Sequence, residues 1–371
     1  MSFKKNYKMG TILISTSKFE TAIPNYFKYL GEEFRDNNFS IIYVFDGQIK
    51  NIPPNKNKIK YFTYPNKRPT KLKDFIFLCK IIKKEKPFLC ISNFGSTNIV
   101  TIASFIYKVP NRLNYIHTSS QQLDMDSNKN YIYNMFFRFR KILIFKMNTH
   151  FLTNSNKMSE MITSVFKIKK NKISVLPYLL EKKKKAKRNY KIRERKICIV
   201  GRLSPSKGHK DLLYSFADCK KKLSDLKLMI VGDGPEEKNL KNLTKSLDLN
   251  KDVEFLGAIP NKNIGKIFSK CLVSVSSSKS EAFGIVNIES LKEGTPIICT
   301  ETEGSQDILK QGENGLTVDL TKKNDLYKKL FLILKDWEYF SNNALNTFDT
   351  KYSKINIKHH FKKFIDDILI T

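Results

Sequence analysis

The chain has 371 residues, enough for two domains that each bury a sheet of their own. Its content of 41% hydrophobic and 27% charged residues is that of a globular protein. No apolar run approaches the ~20 residues that a membrane-spanning helix needs, which excludes an integral membrane protein. The N-terminal apolar stretch is too short for a signal peptide and predicts a first strand. Six cysteines without a C-x-x-C pair indicate buried free thiols and a cytoplasmic protein.

The formal net charge is +32, and it is unevenly distributed. Residues 1–180 hold 30 Lys and Arg against 10 Asp and Glu, residues 181–195 hold 9 against 2, and residues 196–371 hold 28 against 23. An A/T-rich genome inflates lysine, but it would do so evenly along the chain. The asymmetry therefore indicates an acidic partner for the first half: an anionic membrane surface, a nucleic acid or a phosphorylated acceptor.

Strand and helix patterns alternate through the first half. Strands are predicted at residues 11–15, 40–45, 59–61, 88–91, 113–116, 149–153 and 172–176. Helices are predicted at residues 23–35, 72–84, 98–107, 131–145 and 157–166. The basic segment EKKKKAKRNYKIRER, residues 181–195, predicts a linker after an N-terminal domain of residues 1–180.

The alternation restarts at Lys196 and predicts a C-terminal domain of residues 196–350. The predicted strands are KICIVG, LKLMIVG, DVEFLG and CLVSVS, and the helices between them lie at residues 208–222, 235–247 and 261–269. A last helix, at residues 353–369, is expected to pack back on the first domain. The whole pattern predicts an α/β fold of two Rossmann-like, doubly wound domains with parallel sheets.

The most informative segment is SSSKSEAFGIVNIESLKEGTPIICT, residues 276–300. Glu281 precedes a predicted helix at residues 285–293, and Glu289 lies one turn inside it. The N–H groups at the start of that helix favour an anion such as a diphosphate. The two carboxylates can accept hydrogen bonds from ribose or sugar hydroxyls. For the pair taken alone, a capping residue and a solvated helix face are the alternative interpretation.

Three further motifs follow strands of the second half, where doubly wound sheets bind ligands. They are Gly201-Arg202, the segment VGDGP with Gly232, and Leu256-Gly257. Arg202 and Lys207, in GRLSPSKG, are candidate counter-charges for phosphate, although Lys207 alone would suit an ordinary basic surface. Donors for phosphate beside acceptors for hydroxyls predict a nucleotide-sugar site.

These segments, together with SQDIL and ENGL, occur in an order that resembles the C-terminal half of glycosyltransferase family 4, the group 1 transferases with the GT-B fold. The resemblance covers residues 196–320. It implies a C-terminal domain that binds a UDP- or GDP-linked sugar as substrate and an N-terminal domain that binds the acceptor. It also implies transfer with retention of anomeric configuration, without a metal or other cofactor.

The resemblance also implies the role of each residue. Arg202 and Lys207 would neutralise the leaving diphosphate, Glu281 would bind the sugar, and Glu289 would bind the ribose. His117 ends a strand where the family often has a histidine facing the donor sugar; a packing role is the alternative. The expected catalytic residues are Arg202, Lys207, Glu281 and His117, and the expected donor-binding residues are Gly201, Arg202, Lys207, Gly232, Phe255, Glu281, Ala282, Phe283, Gly284, Ile285 and Glu289.

The first half departs from the family pattern at two places. The loop STSKFETAIP, residues 15–24, lacks the glycine pair that many members carry after the first strand. The segment LPYLLE, residues 176–181, replaces a common Asn-Gly. We therefore expect the acceptor to differ from that of the commoner members.

Two basic segments with interleaved apolar residues, 67–86 and 131–148, could lie on an anionic bilayer. The second contains Arg138, Arg140, Lys141 and Lys146. Two core helices with basic edges are the alternative. The membrane interpretation predicts a peripheral protein at the inner face of the plasma membrane and a lipid-linked saccharide acceptor, as in capsule or lipopolysaccharide synthesis.

Other classes of function remain open at this stage. A basic nucleic-acid-binding protein would carry similar charge, but no helix-turn-helix, zinc or RNA-binding signature accompanies it, so no nucleic-acid partner is expected. A GT-B protein that only binds a nucleotide sugar, an epimerase or a phosphorylase would share the C-terminal motifs.

Overall fold

A computed structural model describes residues 10–47, 52–55, 57–117, 131–182 and 190–368. The side chains of residues 131–138 and 191 are also outside this description, among them that of Arg138. Residues 183–189 of the predicted linker lie outside the described residues as well. The statements below concern the described ranges.

The first sheet has seven parallel strands in the order β3-β2-β1-β4-β5-β6-β7. Apolar runs such as SIIYVF form its strands because helices cover both faces of a parallel sheet. The strands are β1 (Thr11–Thr16), β2 (Ser40–Phe45), β3 (Ile59–Thr63), β4 (Leu89–Ser92), β5 (Asn111–Ile116), β6 (His150–Thr153) and β7 (Ile173–Val175).

Five described helices accompany this sheet. Their described side chains include apolar residues that are buried against the strands or a neighbouring helix. They are α1 (Ala22–Asp36), α2 (Leu72–Glu85), α3 (Thr97–Ile106), α4 (Tyr131–Lys146) and α5 (Asn156–Phe166).

The second sheet has six parallel strands in the order β10-β9-β8-β11-β12-β13. The strands are β8 (Glu194–Val200), β9 (Lys227–Val231), β10 (Val253–Phe255), β11 (Cys271–Ser276), β12 (Ile297–Cys299) and β13 (Gly315–Thr317). The described helices that come after β8 in the chain are α6 (His209–Lys220), α7 (Glu237–Ser246), α8 (Asn261–Phe268), α9 (Ile285–Lys292), α10 (Glu303–Ile308), α11 (Asp325–Lys335), α12 (Trp337–Thr347) and α13 (Ile357–Ile368).

Both sheets reverse their strand order at one point, between β1 and β4 in the first and between β8 and β11 in the second. The connections diverge to opposite faces there and leave a crevice at the carboxyl ends of the strands. The prediction of an α/β protein with two doubly wound parallel sheets is confirmed.

The last helix returns to the first sheet. The ring of Phe34 in α1 lies 5.1 Å from the rings of Phe361 and Phe364 in α13. Backbone hydrogen bonds join the segment that follows β7 to the segment that precedes α13. They run from Leu180 N to Tyr352 O at 2.8 Å and from Lys354 N to Leu180 O at 2.8 Å. Helix α13 begins four residues later than the sequence predicts, because Lys354–Asn356 form a separate 3₁₀ turn.

Candidate functional site

A cavity of about 40 Å³ lies at the reversal point of the second sheet, between the ends of β8 and β11. Gly201 and Lys207 line it from the loop after β8, and Glu281 and Gly284 line it from the loop after β11. Four residues that the sequence predicts to share a site therefore do so, because both loops leave the same edge of the sheet.

Two helices start beside this cavity, α6 at His209 and α9 at Ile285. Each follows a glycine with positive φ: Gly208 at 64° and Gly284 at 80°. A side chain at Gly208 would also place its Cβ 2.0 Å from the carbonyl oxygen of Ser277. Glycine thus permits both turns and brings the helix starts close to β11. Their free N–H groups give the cavity a positive potential suited to an anion.

Lys207 and Glu281 are joined directly, with the Lys207 ammonium donating to the Glu281 carboxylate. Only 19% and 17% of the two side chains are exposed, so solvent screens this ion pair less than a surface pair. The Ser277 hydroxyl donates to the Lys207 carbonyl oxygen at 2.8 Å and fixes the loop that carries the lysine. An entering phosphate would compete with Glu281 for Lys207 and release the carboxylate to accept other hydrogen bonds.

Arg202 is exposed on the loop after β8, and it forms no salt bridge within the described ranges. The backbone of this loop packs closely against the backbone of the loop after β9. A Cβ on Gly232, in the loop after β9, would lie 1.9 Å from the Gly201 carbonyl oxygen. Arg202 is therefore carried by a well-defined backbone, but unlike Lys207 it does not line the 40 Å³ cavity.

The loop from Glu281 to Gly284 packs its apolar side chains inward. Ala282 and Phe283 are 1% and 3% exposed, so their side chains do not project into solvent. The Ser155 hydroxyl, at the start of α5, donates to the Ala282 carbonyl oxygen at 3.3 Å. The Gly304 N–H donates to the Glu281 carbonyl oxygen at 2.7 Å. The loop is thus held from both the first sheet and α10, and the half-buried Ile285 begins the helix that follows.

His117, which follows β5, lies between two aromatic rings, with Phe94 at 4.5 Å and Tyr115 at 4.7 Å between ring centroids. Its Nδ1 is hydrogen-bonded to the Tyr178 hydroxyl. Its Nε2 is buried and has no hydrogen-bond partner among the described residues. Burial lowers the pKa of His117 to about 3, so the ring is neutral at physiological pH. The Tyr178 ring in turn packs at 5.3 Å on Phe283, which links His117 to the loop of Glu281.

Glu289 lines a different cavity from Glu281, of about 250 Å³. This second cavity lies between α1 of the first half, which contributes Tyr29, and α8 and α9 of the second, where Asn261 lies beside Glu289. The two glutamates therefore face different parts of the crevice. Phe255, at the end of β10, is half-buried beneath the Lys241 ammonium, 5.8 Å from the ring centroid, and lines neither cavity.

Sequence reasoning missed two polar residues of the smaller cavity. His209 and Asn287 line it and are 3% and 1% exposed. Neither side chain has a hydrogen-bond partner in the described part of the protein. Asn287 stands between Val286 and Ile288 in the sequence, and a lone amide on an apolar helix face is the signal that could have identified it.

No group of three or more His, Cys, Asp or Glu side chains within the described ranges is arranged to hold a metal ion. None of the helices in those ranges has the length and apolar character to cross a membrane.

Comparison with known proteins agrees with this geometry. Residues 181–347, which contain both helix starts and the Lys207–Glu281 pair, match the family model of glycosyl transferases group 1. The second half of the chain is therefore similar to the group 1 glycosyltransferases.

Curated relatives extend the similarity. The chain is 28% identical over 254 residues to the N-acetylgalactosamine-N,N'-diacetylbacillosaminyl-diphospho-undecaprenol 4-alpha-N-acetylgalactosaminyltransferase of Campylobacter jejuni, covering 67% of each protein. It is 25% identical over 333 residues to the capsular polysaccharide biosynthesis glycosyltransferase CapM of Staphylococcus aureus, covering 83% of this chain and 82% of CapM. With an uncharacterized glycosyltransferase of Methanocaldococcus jannaschii it shares 29% over 222 residues, which span 57% of that relative.

Solved structures establish the fold. Anabaena HepE, in complex with UDP and glucose, superposes with a TM-score of 0.74 over 96% of this chain and 99% of HepE, at 15% identity. The sucrose-phosphate synthase of Thermosynechococcus elongatus superposes with a TM-score of 0.77 over 96% and 98% of the two chains, at 17% identity. The chain has the GT-B fold, as the sequence predicts.

Proposed function

We propose that the protein is a glycosyltransferase that moves a sugar from a nucleoside diphosphate sugar to a saccharide acceptor in the synthesis of a surface polysaccharide. One observation carries the proposal: two helix starts, Lys207 and Glu281 converge on one cavity at the reversal point of the second sheet. This arrangement offers positive groups for a diphosphate beside an acceptor for sugar hydroxyls. HepE, which shares the fold, binds UDP and glucose.

Each residue then has a task. The diphosphate lies against the starts of α6 and α9, where Lys207 and Arg202 stabilise the charge that develops on it as the sugar leaves. Glu281, freed from Lys207, accepts hydrogen bonds from the sugar. Glu289 accepts them from the ribose in the neighbouring cavity. The neutral His117 offers Nε2 to the sugar from the first domain.

The reaction breaks the bond between the anomeric carbon and the diphosphate oxygen and forms a bond to an acceptor oxygen. The leaving diphosphate takes the acceptor proton on the same face, so configuration is retained and the chain supplies no separate base. Binding both substrates in the crevice supplies much of the rate because it replaces a bimolecular encounter by a positioned one. Closure of the crevice also excludes water, which would otherwise hydrolyse the donor.

The acceptor we propose is lipid-linked, and the protein works at the inner face of the plasma membrane. The support is the basic first half and the undecaprenol-linked acceptor in the name of the C. jejuni relative. The name of CapM supports a capsule-type product.

The donor is tested by thermal unfolding with UDP, GDP and their sugar conjugates. A ligand present at 100 times its Kd should stabilise the protein by about 2.7 kcal/mol. Glu281→Gln should weaken the binding of the matching nucleotide sugar by roughly 10- to 100-fold, since it removes a charged hydrogen-bond acceptor. It should not weaken binding of the free nucleoside diphosphate, because the phosphate no longer has to displace a carboxylate from Lys207. The exposed Glu338→Gln, on α12, is the matched control. Failure of every nucleotide to stabilise the wild-type protein would exclude the proposed donor.

A further inference from the structure

The backbone of Phe94 is strained at the carboxyl end of β4. Its φ is +53°, a conformation that bulky side chains rarely adopt, yet 40% of the residue is exposed. One ring face stacks on His117 at 4.5 Å. Strain of this kind persists only where neighbouring contacts impose it, and it gathers at functional sites.

Those contacts are present around Phe94. The Asn93 amide donates to the Ser15 carbonyl oxygen at 2.7 Å, and the Ser96 hydroxyl donates to the Asn93 carbonyl oxygen at 2.8 Å. The Thr97 hydroxyl donates to the carbonyl oxygen of Phe94 itself at 3.0 Å. The fold thus holds an exposed aromatic ring in a fixed position beside the proposed donor sugar.

Three buried polar atoms near this ring have no hydrogen-bond partner within the described ranges: Thr16 Oγ1, Asp46 Oδ1 and Asn93 Oδ1. They lie at the ends of three adjacent strands, β1, β2 and β4. Backbone contact joins the first two, because the Asp46 N–H donates to the Thr16 carbonyl oxygen at 3.0 Å. Thr16 and Asn93 are 0% exposed, so each unpartnered atom costs free energy until a ligand satisfies it.

The chemistry of these atoms selects the ligand. Asn93 Oδ1 can only accept hydrogen bonds, and so requires a donor such as a hydroxyl. Burial and the nearby Asp74 raise the pKa of Asp46 to about 7, so its carboxyl can either accept a hydrogen bond from a hydroxyl or donate one to it. A cation would face the surplus of lysine and arginine in the first half, and the nearby Asp74 is already bonded to Asn66 and to the backbone N–H of Lys71. Hydroxyls beside a flat apolar ring describe the recognition of a sugar.

A basic loop, residues 67–71, lies beside Asp46 and Phe94. A Cβ on Gly47 would lie 3.8 Å from the Lys67 carbonyl oxygen, and one on Gly95 would lie 3.9 Å from Pro69 Cδ. The loop also carries Arg68 and Lys71, and all three cationic residues are exposed. An anionic group attached to the bound sugar would therefore meet positive charge.

We propose that Phe94, Thr16, Asp46 and Asn93 form the subsite for the acceptor sugar, and that the loop of Lys67 and Arg68 binds a phosphate attached to it. The proposal rests on the proposed function, since it places this sugar across the crevice from the donor. A lipid-linked sugar phosphate and a free sugar 1-phosphate share the required chemistry.

The test uses Phe94→Gly, which removes the ring and relieves the backbone strain, so the variant should fold. Phe94→Tyr keeps the ring, Thr16→Val removes only a hydroxyl, and Phe331→Ala removes an aromatic of 53% exposure on α11 as the control. Acceptors are a bacterial membrane lipid extract, a panel of hexose and N-acetylhexosamine 1-phosphates, and the corresponding free sugars. Titration with UDP and GDP reports the donor site separately.

Phe94→Gly and Thr16→Val should raise the acceptor KM at least tenfold and leave the Kd of the nucleoside diphosphate within twofold. Phe94→Tyr, which keeps the ring, should raise the acceptor KM less than Phe94→Gly does, and the Phe331→Ala control should behave as wild type. Substituting Lys67 and Arg68 by Gln should weaken phosphorylated acceptors but not the free sugars. Activity with the lipid extract alone identifies the lipid-linked source. An unchanged acceptor KM in both variants, or binding of a nucleotide but of neither acceptor class by wild type, overturns the subsite. Absence of nucleotide binding overturns the proposed function instead.

Discussion

His209 and Asn287 are buried polar residues, and their side chains have no hydrogen-bond partner within the described ranges. Burial, with the nearby Lys207 charge, lowers the pKa of His209 to about 4, so the ring is neutral and retains one N–H. A buried polar group without a partner costs about 1–3 kcal/mol. Because both side chains line the cavity of Glu281, the donor or a water held with it is the natural partner.

Asn287→Leu should therefore stabilise the free protein but weaken its binding of the nucleotide sugar. The free energy of unfolding without ligand should rise by about 1 kcal/mol, since an unsatisfied amide is replaced by an apolar group. Affinity for the nucleotide sugar should fall by roughly tenfold, as expected for one lost hydrogen bond. Denaturant unfolding and calorimetric titration measure the two quantities. The exposed Asn342→Leu, on α12, is the control. Unchanged affinity would mean that the amide has no part in donor binding.

Single residues also show what the sequence could predict of the site. The order of the motifs placed Lys207 and Glu281 at one edge of a sheet, but not in contact, since a sequence separation of 74 residues does not reveal side-chain distances. The position of His117 at a strand end could be predicted. Its neutral state could not, because that state depends on two aromatic rings and on Tyr178, which is 61 residues away.

At the scale of elements, the basic segments 67–86 and 131–148 contain helices α2 and α4. They differ in one respect from the membrane-binding surfaces that the sequence suggests. Helices α2 and α4 do expose apolar side chains, such as Ile76 at 47% and Phe139 at 59%. The Lys141 ammonium, however, turns inward over the rings of Phe145 and Phe166, at 5.3 and 5.0 Å. Burial lowers the pKa of Lys141 to about 8, and the ammonium is directed onto the two rings and not toward a membrane surface.

Helix α3, between these two, ends in the exposed residues Phe105, Ile106 and Tyr107, beside Lys108. Sequence reasoning did not single out this end, because the apolar residues continue the pattern of a buried helix face. Exposed apolar groups with adjacent cations suit an anionic bilayer surface.

The membrane interpretation predicts co-sedimentation with vesicles that contain phosphatidylglycerol, and much less with neutral phosphatidylcholine vesicles. Binding should weaken as salt rises, because screening shortens the range of the attraction. Ile106→Asp, at a position of 57% exposure, should reduce the bound fraction severalfold, while Tyr214→Asp on α6 should not. Equal binding to both vesicle types would indicate that the lysine excess reflects composition alone.

At the scale of the whole molecule, strand and helix patterns were sufficient to predict two doubly wound sheets, because parallel strands buried on both faces are nearly continuous apolar runs. The contact between the two halves could not be predicted. It depends on specific pairs such as the Asn156 N–H with the Asp307 carboxylate, at 2.7 Å, and Tyr178 with Phe283. These contacts hold the carboxyl end of β6 close to the loop from Glu281 to Gly284.

The central claim is that the crevice transfers a sugar from a nucleoside diphosphate sugar. The most direct measurement follows a radiolabelled sugar from the donor that stabilises the protein into a membrane lipid extract, for the wild type and for Glu281→Gln. The account predicts transfer by the wild type and a loss of at least 100-fold in the variant, with Glu338→Gln unaffected. Equal transfer by wild type and Glu281→Gln, or no transfer from any donor that binds, would contradict it.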